Sequence, residues 1–401
     1  MVLRQPKRGG KMATKKAKRI PKKTTKTPRE RYSDLRQELR SEYYELDAEI
    51  EGILVALLAR EHLLFLGPPG TAKTSLTTSV TRAIKGADLF RYLFNKFTEP
   101  NEVFGPMSLQ SLKADKQKRI TTGKLPESSV AFLDECFKAN SSILNALLGV
   151  LNDRKFDNDG EQDCPLETAI GASNELPESK ELDALYDRFL LRYWTDAIKD
   201  RSNMKALLMS GGSPCVSSSV TLDELHTMQD EVDEVDISEE IVDLLLDIKA
   251  ALEKEGYSNS DRRWCKVLGL LQAKAYLEGR DEVCEDDVLI LKHALWRDPN
   301  HRGKMGQIIT HLANPLAHAA ERVLDAARER FRTVPIGEEI DDSRKSTVFA
   351  QIVEVNAELK AMVTKLQKMS NGRRPAVIDE AIEEIVGMQE DVSRYGQQMV
   401  A

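Results

Sequence analysis

The strongest constraint on this chain is the octapeptide Gly67-Pro68-Pro69-Gly70-Thr71-Ala72-Lys73-Thr74, which follows the apolar run His62-Leu63-Leu64-Phe65-Leu66. It fits G-x-x-x-x-G-K-[ST], and the order of strand, glycine turn and helix is the setting that pattern needs. Glycines let the backbone curl until its N–H groups converge on phosphate oxygens, at a helix N-terminus that already favours anions. In this reading Lys73 reaches the β- and γ-phosphates of a nucleoside triphosphate, and the Thr74 hydroxyl ligates Mg2+. Ser75, next in the same helix, completes the expected nucleotide-binding set, Gly67 to Ser75.

About sixty residues on, Val130-Ala131-Phe132-Leu133-Asp134-Glu135 reads as an apolar strand ending in two carboxylates. Such a strand delivers Asp134 to a Mg2+ shell and leaves Glu135 to polarise an attacking water. Alone, two acids at a strand exit say little; paired with the phosphate loop they complete a hydrolytic site. A third apolar run, Ala169-Ile170-Gly171-Ala172-Ser173, ends in Asn174, whose amide is placed to hold the water or the γ-phosphate. Strands alternating with helical patterns through Trp194 predict an α/β fold, with a parallel sheet between helices.

The order of these motifs, followed by Leu185-Tyr186-Asp187-Arg188-Phe189 and Ser260-Asp261-Arg262-Arg263, resembles the AAA+ ATPases of the MoxR group. It is most similar to the RavA branch, which acts with a von Willebrand factor A-domain partner. The resemblance runs from about Tyr32 to about Asp298 and extends to Glu102-Val103-Phe104-Gly105-Pro106 and Ala172-Ser173-Asn174-Glu175-Leu176-Pro177. It implies that Lys73 and Thr74 are Walker A, Asp134 and Glu135 Walker B, and Asn174 sensor 1. By the same likeness Arg188 is the arginine finger and Arg262 is sensor 2, coupling the lid to the γ-phosphate. Arg192 and Arg263 stand close enough to exchange roles with them.

The resemblance further implies ATP hydrolysis in a homo-hexameric ring that remodels a protein client. A chelatase-like motor subunit and a nucleic-acid-associated motor of the same clade are the alternatives. No β-rich insertion of the kind RavA uses to bind a metabolic enzyme is evident.

Composition limits the partners. The net charge is −7, but residues 1–29 hold twelve Lys or Arg and no acid, leaving 46 basic against 65 acidic residues elsewhere. An acidic body argues against wrapping DNA, while the basic tail is a candidate nucleic-acid anchor. No apolar run approaches the length of a membrane span. The five cysteines are dispersed and never in C-x-x-C spacing, which points to a reducing, cytoplasmic setting without zinc.

The expected divisions are a disordered basic tail over 1–30, an α/β core over 31–196, an all-α lid over 197–298 and a helical extension over 299–401. Within the core, residues 100–126 resemble the helix-2 insert of the clade, and a hairpin is expected over 154–165 around Asp157-Asn158-Asp159-Gly160. In the extension, Ile352, Val355, Leu359, Met362, Leu366 and Met369 make a heptad seam, and Ile378, Ile382, Ile385 and Val392 make a second stripe. Between them Asn371-Gly372-Arg373-Arg374-Pro375 reads as a turn. The pattern fits an antiparallel hairpin, or a lid extension packing on Leu316–Phe331.

Overall fold

The computed structural model describes residues 26–177, 179–212, 214–336, 342–369 and 376–400. Residues 1–25 and the turn expected at 371–375 lie outside them. Five strands form the central sheet: β1 (His62–Leu66), β2 (Leu89–Leu93), β3 (Val130–Asp134), β4 (Thr168–Ser173) and β5 (Phe189–Trp194). They pair in the order β2-β3-β4-β1-β5, and every pair is parallel. All of β1 and β4 is buried, because helices cover both faces. That burial is why these strands are apolar at every position and do not alternate.

The register aligns the carboxyl ends. Leu66 sits opposite Ser173, and Ala172 opposite Asp134. The loops after β1, β4 and β3 therefore emerge side by side on one edge.

The first helix, Pro28–Glu42, starts inside the segment expected as a tail. Thr27 and Glu30 form a capping box there, and Arg29 donates to the carbonyls of Tyr276 (2.9 Å) and Arg280 (2.8 Å). The 100–126 insert holds two short helices, Pro100–Phe104 and Leu109–Leu112. Its loop is closed by Ser108 N–H to Lys118 O (2.7 Å) and Ile120 N–H to Pro106 O (2.8 Å). The second expected projection is present as strands Lys155–Asp157 and Glu161–Asp163. The two lie together: Phe104 stacks on Phe156 at 5.3 Å, and Arg119 N–H donates to Asn158 Oδ1 at 2.6 Å.

Four further helices follow: Arg201–Ser210, Leu222–Asp233, Glu239–Lys254 and Asp261–Leu277. The first buries no residue; Met204 and Leu208 are 45% and 71% exposed. These four helices are followed by one α-turn, Glu285–Val288, and the 3-10 segment Leu289–His293.

One apolar cluster runs from Tyr32 to Ala313, and a second from Ala320 to Val392. The second combines the two arrangements open from sequence. Helices Asp342–Met369 and Ala376–Val400 pack on each other and on Pro315–Arg332. Ile352, Val355, Leu359 and Leu366 are buried, as are Ile378, Ile385 and Val392, together with Ala320, Val323 and Ala327. Placing Asp at both Leu359 and Leu366 should cost on the order of 3–5 kcal/mol each. The expected outcome is loss of part of the helical circular-dichroism signal with nucleotide binding retained, because the bundle has its own core. A melting profile unchanged by both substitutions would contradict the packing.

Candidate functional site

The phosphate loop leaves β1 at Gly67 and enters the Lys73–Ala83 helix through Ala72 in the left-handed region (φ 59°). Gly67 is required: its φ is 137°, and a Cβ there would stand 2.1 Å from the carbonyl oxygen of Thr195. Lys73 Nζ donates to the loop's own carbonyls, Gly67 O at 2.8 Å and Pro68 O at 2.9 Å. Partial burial pulls the Lys73 pKa down, while Asp134 and Glu135 push it up. Both carboxylates are thus near enough to act on the charge of Lys73.

Asp134 is half-buried, and its pKa is raised by burial and by Glu135, against the pull of Arg91 and Lys73. Glu135 sits in the left-handed region (φ 52°), which turns its carboxylate out of the strand line. Its Oε1 accepts from Asn174 Nδ2 at 2.9 Å. Its Oε2 is buried without a hydrogen bond, although Lys138 Nζ stands 3.2 Å away. Two adjacent carboxylates in a part-dry site are a donor set suited to a divalent cation and a water. Thr74 and Asp134 are the side chains available for Mg2+, and Glu135 and Asn174 those for the water. These sequence-derived residues come together on one edge.

Arg188 and Arg262 do not join them. Arg188 ends the Lys180–Arg188 helix, just before β5, and Phe189 pairs with His62 at the start of β1. The phosphate loop begins after Leu66, at the other end. At ~3.3 Å per residue, the two edges are about 16 Å apart. Arg262 lies with Arg188: the two share a small cavity with Asp187, Leu190, Arg263 and Lys266. Burial and then repulsion from Arg262 lower the Arg188 pKa, and its Nε is buried without a partner. Arg262 Nη2 donates to Asn152 Oδ1 at 3.1 Å.

Their sequence neighbours are committed elsewhere. Arg263 is 2% exposed and donates to the carbonyls of Leu190 (2.8 Å), Ala294 (2.6 Å) and Phe189 (3.0 Å). Arg192 is fully buried, bonded to the carbonyls of Trp296 and Tyr186, with its guanidinium over the Tyr186 ring. Both hold the core against the lid and face no solvent.

Two contributors escaped the sequence reading. Tyr43, legible only as an apolar helix position, places its hydroxyl 2.9 Å from Ser75 Oγ and 2.7 Å from Ser79 Oγ. Ser75 is thus held by Tyr43. Thr195, one residue past β5, carries no motif signal, yet its hydroxyl is 3.0 Å from that of Thr71.

The model of the MoxR domain in the MoxR-vWA-beta-propeller ternary systems matches residues 30–236, and that of an AAA lid domain matches residues 240–309. An uncharacterized protein of Methanocaldococcus jannaschii is 37% identical over 363 residues, 87% of this chain and 93% of the relative. A second protein of that organism is 40% identical over 305 residues, 75% of this chain and 81% of the relative. The crystal structure of a candidate ATPase from Cytophaga hutchinsonii superposes with a TM-score of 0.57 at 18% identity. It covers 71% of this chain and 94% of its own, a likeness of fold alone. Among the described residues no helix is long and apolar enough to cross a membrane.

Proposed function

This chain belongs to the MoxR-type AAA+ ATPases, and from that premise we propose that it hydrolyses ATP as a ring of identical subunits that remodels a protein client. The observation that carries the proposal is the division of the site between two edges. Lys73, Asp134, Glu135 and Asn174 gather on one, Arg188 and Arg262 on the other. A nucleotide held by the first group would meet the arginines only of an adjacent copy. Six copies in a closed ring would complete every site, each copy offering both edges.

In this reading the loop N–H groups and Lys73 bind the triphosphate. Thr74 and Asp134 would hold Mg2+, which would supply positive charge to the triphosphate. Glu135 takes the proton of the attacking water, which Asn174 orients through its bond to the Glu135 carboxylate. Arg188 of the next subunit stabilises charge on the γ-phosphate as it transfers, its fixed donors matching phosphate oxygens. Arg262, a lid residue, reaches the same neighbour, so that lid position and hydrolysis are linked across the interface.

The matching family description names a von Willebrand factor A component and a β-propeller. We take a von Willebrand factor A-domain protein as the partner, as in RavA-like systems, and a chaperone-type action as the outcome. The same reading places the protein in the cytoplasm, where its free cysteines would stay reduced. The test is capture with tagged Glu135→Gln and ATP from the source cell. A von Willebrand factor A protein should be retained with ATP and reduced several-fold with ADP. Capture indifferent to nucleotide would count against a client cycle driven by ATP.

A further inference from the structure

The side chain of Thr195 sits where three parts of the molecule meet. It follows β5, is 1% exposed, and opens the stretch that leads into the Arg201–Ser210 helix. Its N–H donates to Leu66 O at 2.8 Å, and its hydroxyl oxygen lies 3.3 Å from the same carbonyl. That hydroxyl is also 3.0 Å from Thr71 Oγ1, at the far end of the phosphate loop. Thr195 O lies so close to Gly67 Cα that only a glycine fits between them. One buried residue thus touches the last residue of β1, the first of the loop and, in Thr71, the residue before the helix cap.

We propose that Thr195 is a positioning residue of the nucleotide site, whose hydroxyl holds the phosphate loop closed against β5. A loop whose function is to aim successive backbone N–H groups at phosphates depends on the separation of its two ends. The Thr71–Thr195 bond fixes that separation from outside the loop. Thr71 Oγ1 donates its own proton to Pro68 O at 3.2 Å and accepts that of Thr195 at 3.0 Å, so the bond anchors a side chain that already braces the loop from within. The inference rests on the proposed ATP binding at Gly67–Thr74.

Thr195→Val keeps the shape and removes the hydroxyl. Neither partner is orphaned by it, since Leu66 O still accepts from Thr195 N–H and Thr71 Oγ1 still donates to Pro68 O. The melting temperature should therefore hold. Thr195→Ser keeps the hydroxyl and loses a buried methyl, so it should melt a few degrees lower, at about 2–4 °C per kcal/mol.

Affinity should rank the other way. Titration of the full chain with ATPγS should show Thr195→Val weakened about five- to tenfold, the equivalent of one neutral hydrogen bond. Thr195→Ser should stay within about twofold of wild type, with Lys73→Ala as the reference for a broken site. If wild type binds and Thr195→Val binds equally well, the positioning role is wrong and the ATP reading stands. If Thr195→Ser is as weak as Thr195→Val, packing and not the hydroxyl is responsible, and the role is again wrong. If wild type binds no ATPγS, the ATP reading falls and the inference falls with it.

Discussion

Glu135→Gln is expected to keep ATP bound while lowering its turnover by about 10²–10⁴-fold, the range lost with a positioned general base. The substitution is nearly isosteric, and an amide oxygen at Oε1 still accepts from Asn174 Nδ2, now at 2.9 Å. What disappears is the basic oxygen, Oε2, which is buried without a hydrogen bond. Lys73→Ala should behave differently, because Lys73 meets the phosphates in the ground state as well as in the transition state. It should raise the dissociation constant for ATP before it affects anything else. Equilibrium binding alongside single-turnover hydrolysis checks the pair. Normal hydrolysis by purified Glu135→Gln would remove Glu135 from the chemistry.

Arg188→Ala is expected to produce a larger effect, about 10³–10⁵-fold in turnover, the scale of an arginine finger in phosphoryl transfer. Its cost in stability should be small. Its Nε makes no hydrogen bond, and the repulsion from Arg262 is larger than the attraction of either Asp187 or Asp153. A cation held beside another cation is relieved by removal, unless an anion from elsewhere is its intended partner. Arg192→Ala makes the contrast. That guanidinium is buried and bonded to Trp296 and Tyr186 carbonyls, so its loss should unsettle the core–lid junction and lower the melting temperature. A turnover defect in Arg192→Ala alone, with Arg188→Ala active, would reverse the assignment.

The contrast between those two arginines shows what a sequence can and cannot disclose. The phosphate loop, Asp134–Glu135 and Asn174 were legible because each motif is contiguous and ends an apolar strand. The parallel register then brings three strand ends to one edge with no further information needed. The α/β alternation and the heptad of the last helices were legible for the same reason, periodicity being a local property. Arg188 and Arg192 differ by four residues, and no local pattern says which faces solvent. That depends on Trp296 and Tyr186, one of which lies a hundred residues away. Thr195 and Tyr43 act through single hydroxyls on partners more than thirty residues distant, and carry no composition or spacing signal. The Arg201–Ser210 helix is the opposite case: among the described residues its Met204, Leu208 and Met209 stay exposed, so an apolar sequence position did not mean a buried one.

The most direct measurement is ATPase activity in two covalent tandem dimers allowed to assemble into rings. In the first, one half carries Lys73→Ala and the other Arg188→Ala; in the second, one half carries both changes and the other none. If Arg188 completes the site of the neighbouring subunit, the first tandem retains intact sites, each pairing a normal Lys73 with a normal Arg188 across the junction. In the second tandem every site then lacks one or the other. Action in trans therefore predicts hydrolysis by the first tandem and background from the second, with ring formation confirmed for both. Background from the first tandem and hydrolysis by the second would place Arg188 in its own subunit's site and contradict the shared active site.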